Sequence, residues 1–201
     1  LSKLKAEPFK YDILICDASP DKRDVLPDGT GRNSKKECIL PDVMLTSLKR
    51  INPTIEEDKI KEIVKTLRKD YTGTDIVDTN YKLYRQIRNN IKITVHRNGK
   101  EDFDFIKLID FEHPENNTFT AVSQMWIQGK VYYRRPDILI FVNGMPLVFI
   151  ELKNSIVKVE EAYNKNLKDY MRDIPNLFAF NQICVLSNGL ETKLGAFNAT
   201  Y

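Results

Sequence analysis

The stretch that decides the fold is RRPDILIFVNGMPLVFIELKN, residues 134–154. Two apolar runs flank Asn143-Gly144, the kind of dipeptide that accepts positive φ at both centres of a tight turn, so the segment reads as a β-hairpin. A hairpin that served only as core would be apolar to both ends. Here Asp137 opens the first strand, and Glu151 and Lys153 close the second. Residues two apart on a strand share a face, so Glu151 and Lys153 point the same way. Charges at the end of a buried hairpin are costly unless something compensates them.

A divalent cation is one such compensation. Mg²⁺ takes one or two carboxylates and keeps several waters, which leaves positions open for a phosphate. A metal held by Asp137 and Glu151 could polarise a phosphodiester, with Lys153 orienting the attacking water and offsetting charge. An isolated Glu-x-Lys triplet is common and by itself reads as a surface ion pair. The Pro-Asp one hairpin upstream brings the metal site level with that plainer reading.

Register decides whether the two acids can share a cation. With a plain two-residue turn, Asp137 faces Ile150 and Glu151 faces Pro136, which puts the carboxylates on opposite faces. A shared site needs a shift of one residue, through a three-residue loop Asn143-Gly144-Met145 or an equivalent bulge. The sequence therefore predicts such an irregularity between Asp137 and Glu151, with Lys153 on the same face.

Upstream of the hairpin, YDILIC (11–16) reads as a strand, followed by an irregular loop dense in Pro, Gly, Asp and Lys. Residues 1–36 thus form an extension, and residues 37–201 the main domain. Three helices follow, in ECILPDVMLTSLKRIN (37–52), IEEDKIKEIVKTLRK (55–69) and TDIVDTNYKLYRQIRNN (74–90). Thr54 and Glu57 form a capping box for the second. From residue 91 the period falls to two: IKITVH (91–96), a turn at Arg97-Asn98-Gly99-Lys100, FDFIKLIDF (103–111) and FTAVSQMWIQ (119–128) read as strands. After the hairpin, a helix over about 156–172 crosses over to a strand at QICVLSN (182–188). The fold class is α/β, a mixed sheet flanked by helices.

The chain has 201 residues, 42% of them apolar, enough for a real core. Its 31 basic and 28 acidic residues leave a net charge of +3, which excludes a histone-like polycation; nucleic acid would be met through a local patch or a metal ion. No run approaches a membrane span, and the first residues lack the pattern of a signal peptide. Cys16, Cys38 and Cys184 have no CxxC spacing and read as buried thiols of a cytoplasmic protein.

Through RRPDILIFVNG and IELKN, the sequence resembles the PD-(D/E)xK nuclease domain of type I restriction endonuclease R subunits. KKECILPD (35–42), RINP (50–53) and IPNLFAFNQICVLSNG (174–189) extend the resemblance from about Asp21 to Gly195. It implies a restriction-endonuclease-like core and Mg²⁺-dependent hydrolysis of double-stranded DNA, with Mn²⁺ able to substitute. Asp137, Glu151 and Lys153 match the family's catalytic positions, with Asp137 and Glu151 as the metal ligands. The resemblance also implies modification and specificity subunits as partners, and an ATP-driven motor. No Walker A loop occurs in these residues, so the motor and its ATP lie outside them.

Many such domains carry a Gln-xxx-Tyr pair on the following helix; here Asn166 stands four before Tyr170, on one helical face. Glu37 is the candidate for an extra acid on an early helix. Arg134 and Arg135 are candidates to track a DNA backbone. Gln124, in a strand before the hairpin, could face the cleft, though a polar residue on the sheet surface is the plainer reading, and Trp126 reads as core. His96 and His113 have no ligand spacing. The rival function is a non-catalytic module that only docks DNA or partner subunits.

Overall fold

The computed structural model describes residues 1–6, 10–97 and 99–199. Asn98 of the expected turn lies outside them. A six-stranded mixed sheet organises the chain. Its strands are β1 (Asp12–Ile15), β4 (Phe119–Ser123), β7 (Ile138–Val142), β8 (Met145–Leu152), β9 (Ile183–Ser187) and β10 (Thr192–Gly195), in that spatial order. β2 (Ile91–Arg97) pairs with β3 (Lys100–Ile106), and β5 (Ile127–Gln128) with β6 (Tyr133–Arg134), as separate two-stranded ribbons. The early strand β1 joins the large sheet at its edge, parallel to β4. β8 and β9 are parallel, joined through helical backbone over residues 159–173, as the crossover argument required.

Two cores position the central hairpin. That crossover helix lays Val159, Ala162, Leu167 and Tyr170 against the sheet face made by Val122, Leu139, Phe141, Phe149 and Leu186. The second core lies at the turn end of the hairpin. There α1 (Pro41–Ile51), α2 (Glu57–Leu67) and α3 (Ile76–Asn89) gather Met44, Leu48, Ile60, Val64, Leu83 and Ile87 around Met145 and Phe180. These residues recur every three or four positions, the stripe that one buried helical face needs. Asp75 caps α3, its carboxylate accepting from the backbone N–H groups of Val77 and Asp78. The expected capping box is absent: α2 begins at Glu57 with no side-chain cap, and Glu57 instead pairs with Lys49 at 2.8 Å and Lys61 at 3.1 Å.

The turn is a two-residue one, Val142 facing Met145. Asn143 (φ +48) and Gly144 (φ +79) both take left-handed backbone. Gly144 has no substitute here, because a Cβ would sit 2.5 Å from the Leu40 carbonyl oxygen. Asn143 is fully buried; its Oδ1 accepts from Thr118 N–H, and its Nδ2 donates to Leu108 O and to Asn117 Oδ1. The three-residue loop is therefore not the device used. Phe141 faces Pro146 while Ile140 faces Val148, which leaves Leu147 as the extra residue of a β-bulge. Beyond the bulge Ile138 faces Ile150, and the next step along the same register sets Asp137 against Glu151.

The expected strand over 119–128 breaks at Gln124, whose φ is +58. Trp126 is half-buried rather than in the core, with the Arg135 guanidinium 5.0 Å from its ring centre. β10 was not expected; it returns antiparallel to β9 after the Asn188-Gly189 turn. The three cysteines are free and buried, and burial pushes their thiols up, Cys16 to about 11 and Cys38 and Cys184 to about 12.

Candidate active site

Asp137, Glu151 and Lys153 meet at the open end of the β7–β8 hairpin. Glu151 and Lys153 share a face of β8 and its continuation, and Lys153 Nζ lies 2.7 Å from Glu151 Oε1. Lys153 N–H donates to Ser187 O on β9, which pins the strand end between its two neighbours. Both oxygens of Asp137 are held. Oδ1 accepts from Gln124 Nε2 at 3.1 Å, and Oδ2 from the Leu152 backbone N–H at 2.7 Å. Gln124 N–H also donates to Asp137 O at 3.0 Å, so one row of residues crosses three strands as Gln124, Asp137 and Glu151.

Glu151 is 3% exposed, yet its Oε2 has no hydrogen-bond partner. A buried, unsatisfied carboxylate oxygen is expensive, and such an atom calls for an explanation. Burial pushes the Glu151 carboxyl above the usual carboxylate range; Lys153 and, more weakly, the Tyr170 hydroxyl pull the other way, while Asp137 adds to the push. Among the described residues, no group of three or more His, Cys, Asp and Glu side chains gathers as a ready-made metal cage. Two carboxylates with a free, buried oxygen form instead a sparse, hard-oxygen donor set. That set fits Mg²⁺ or Mn²⁺, ions that keep water in several positions.

Tyr170 reaches this site from the crossover helix. It is buried edge-on against Phe149, two residues before Glu151, and its hydroxyl donates to the Arg135 carbonyl at 3.1 Å. Burial, followed by the charges of Glu151 and Asp137, raises its phenol above the ordinary value. Asn166 lies half-buried on the π-helical stretch Ala162–Leu167 and makes no hydrogen bond to Asp137, Glu151 or Lys153. Four residues on a π-to-α junction do not keep the one-face relation of a regular α-helix, so the expected pairing of Asn166 with Tyr170 weakens.

Arg134 is engaged within the protein. Its Nε lies 2.7 Å from Asp173 Oδ2 and its Nη2 3.4 Å from Asp169 Oδ2, which ties β6 to the crossover helix. Arg135 donates to the Ala18 carbonyl while its own carbonyl receives Tyr170. Glu37 is not brought to the pair by any bond: Arg68 takes one of its oxygens at 2.7 Å and Asn33 N–H the other. The residue that sequence reasoning undervalued is Gln124. Its signal was the interruption of an apolar alternation by a polar residue in register with Asp137.

A mixed sheet whose central hairpin carries Asp, Glu and Lys at its open end, backed by a crossover helix, defines a protein with a restriction-endonuclease-like fold. The chain belongs to the family described as type I restriction enzyme R protein N terminus, which matches residues 8–201. It is 34% identical over 174 residues to the type I restriction enzyme HindI endonuclease subunit of Haemophilus influenzae, covering 85% of this chain and 16% of that one. The SsaAORF53P endonuclease subunit of Staphylococcus saprophyticus is 32% identical over 89 residues, 44% of this chain and 10% of its own. The SauCOLORF180P endonuclease subunit of Staphylococcus aureus is 28% identical over 102 residues, 51% and 11% of the two chains. The chain thus spans about a sixth or less of the length of these curated relatives.

Proposed function

We propose that this chain hydrolyses phosphodiester bonds of double-stranded DNA with Mg²⁺, as the nuclease domain of an R subunit working in the cytoplasm with modification and specificity subunits. The observation that carries the reading is the unpartnered Oε2 of buried Glu151, directly across the hairpin from Asp137 and beside Lys153. Directly opposite residues have Cβ atoms roughly 4.5–5.5 Å apart, a span that one cation can bridge.

When bound, the ion would supply Lewis-acid polarisation of the phosphate and favour ionisation of a water. The protein residues do the rest. Asp137 and Glu151 would hold the ion, and Gln124 and Leu152 N–H keep the Asp137 carboxylate from turning. Lys153, drawn to Glu151 in the free protein, is placed to orient the attacking water and to offset charge on the phosphate as it builds up. Tyr170 packs edge-on against Phe149, on the buried side next to Glu151. ATP would enter only through a motor region of the longer subunit.

The test is cleavage of supercoiled plasmid by the assembled complex with Asp137→Ala, Glu151→Ala or Lys153→Ala. Cleavage should fall by at least about 100-fold, in line with removing one charge-stabilising group, while ATP hydrolysis is retained. Cleavage that survives all three substitutions would overturn the reading in favour of a docking module.

A further inference from the structure

Gln124 sits in left-handed backbone, φ +58, a conformation that a non-glycine residue adopts at a cost and that tends to persist where function needs it. It ends β4 early and is fixed there by its own N–H, which donates to Asp137 O. That backbone places its amide against Asp137 Oδ1 at 3.1 Å. The amide must present its NH₂ rather than its oxygen, since an oxygen facing a carboxylate would repel it. With Leu152 N–H on Oδ2, each Asp137 oxygen is aimed by one donor and keeps lone-pair capacity for one more bond.

From this geometry we infer that Gln124 is a positioning residue, orienting the Asp137 carboxylate toward a divalent cation shared with Glu151. It acts through Asp137 and touches neither the ion nor the DNA. The inference rests on the metal-site reading above and extends it to a residue one strand away. Outer partners of this kind fix the orientation of ligating carboxylates, and removing one weakens metal binding by roughly 10–100-fold.

The experiment is Mn²⁺ binding to the full chain by titration calorimetry, with melting curves taken with and without Mn²⁺. Gln124→Gly is the decisive variant, because glycine accepts φ +58 freely and only the side chain is lost. Its Mn²⁺ dissociation constant should rise roughly 10–100-fold, while the metal-free melting temperature stays close to that of the wild type. A purely structural brace would give the reverse: a lower metal-free melting temperature and unchanged Mn²⁺ affinity, and that result overturns the inference. If Gln124→Gly fails to fold, Gln124→Asn serves in its place, since asparagine tolerates left-handed backbone and its amide is one methylene too short. If the wild type itself binds no Mn²⁺, the metal-site reading falls and the inference with it. If wild type and variant bind alike, only the role of Gln124 falls.

Discussion

Asp28 and Glu151 are both carboxylates largely withdrawn from water, and their surroundings push them in opposite directions. Asp28, with a side chain 10% exposed, receives Arg32 Nη2 at 2.7 Å, Lys35 Nζ at 2.7 Å, the Thr30 hydroxyl and the Thr30 N–H. Burial alone would raise its pKa, but the Lys35, Thr30 and Arg32 contacts outweigh burial and hold the carboxyl well below its usual range. Glu151 has Lys153 on one oxygen and no hydrogen bond of ordinary geometry on the other, and burial outweighs the pull of Lys153 and the nearby Tyr170 hydroxyl, so its carboxyl is pushed up. The first group is complete and the second is not. A completed buried charge is a fastener, whereas an incomplete one is a candidate binding site.

The fastener is easy to trace. Arg32, with no side-chain exposure, also donates to Glu37 O and, across 94 residues of sequence, to Trp126 O. It thereby clamps the irregular loop before α1 onto the loop that follows Gln124. Asp28→Ala would leave two buried cations facing each other without their carboxylate. It should destabilise the chain by about 3–5 kcal/mol, the range for breaking a buried ion cluster by removing one partner. Chemical denaturation measures it, and a loss below about 1 kcal/mol would erase the contrast with Glu151.

Glu151→Gln should do something quite different in the metal-free chain. It removes a buried negative charge and keeps the shape, so stability should be unchanged or higher by about 1 kcal/mol. A large destabilisation in the same assay would mean that Glu151 is as structural as Asp28.

The two sites were unequally legible in the sequence. The Asp137–Glu151 row could be reasoned out because strand alternation is rigid: once both acids must share a face, an extra residue is compulsory. Which device supplies it could not be read, because a bulge at Leu147 and a three-residue loop satisfy the same count. The helices α1 and α3 and the parallel crossover were visible in periodicity and connection length. The Asp28 cluster was hidden in a stretch that read only as irregular loop, since its meaning lies in contacts with Trp126 and Glu37 rather than in local pattern. Gln124 was legible only in part: its polar side chain in register with Asp137 was visible, but no propensity of glutamine announces its positive φ. Glu57 read as a cap, and instead joins two surface lysines at the start of α2.

The central claim is that the incomplete carboxylate is completed by a divalent cation, and the most direct measurement is the melting temperature of the full chain as Mn²⁺ is raised. An ion that binds only the folded arrangement adds about 2.7 kcal/mol at one hundred times its dissociation constant, or roughly 5–10 °C for a chain of this length. Wild type should show that rise, and Glu151→Gln should lose nearly all of it while melting normally without metal. A wild-type curve that does not move in millimolar Mn²⁺, or an equal rise in Glu151→Gln, would contradict the account.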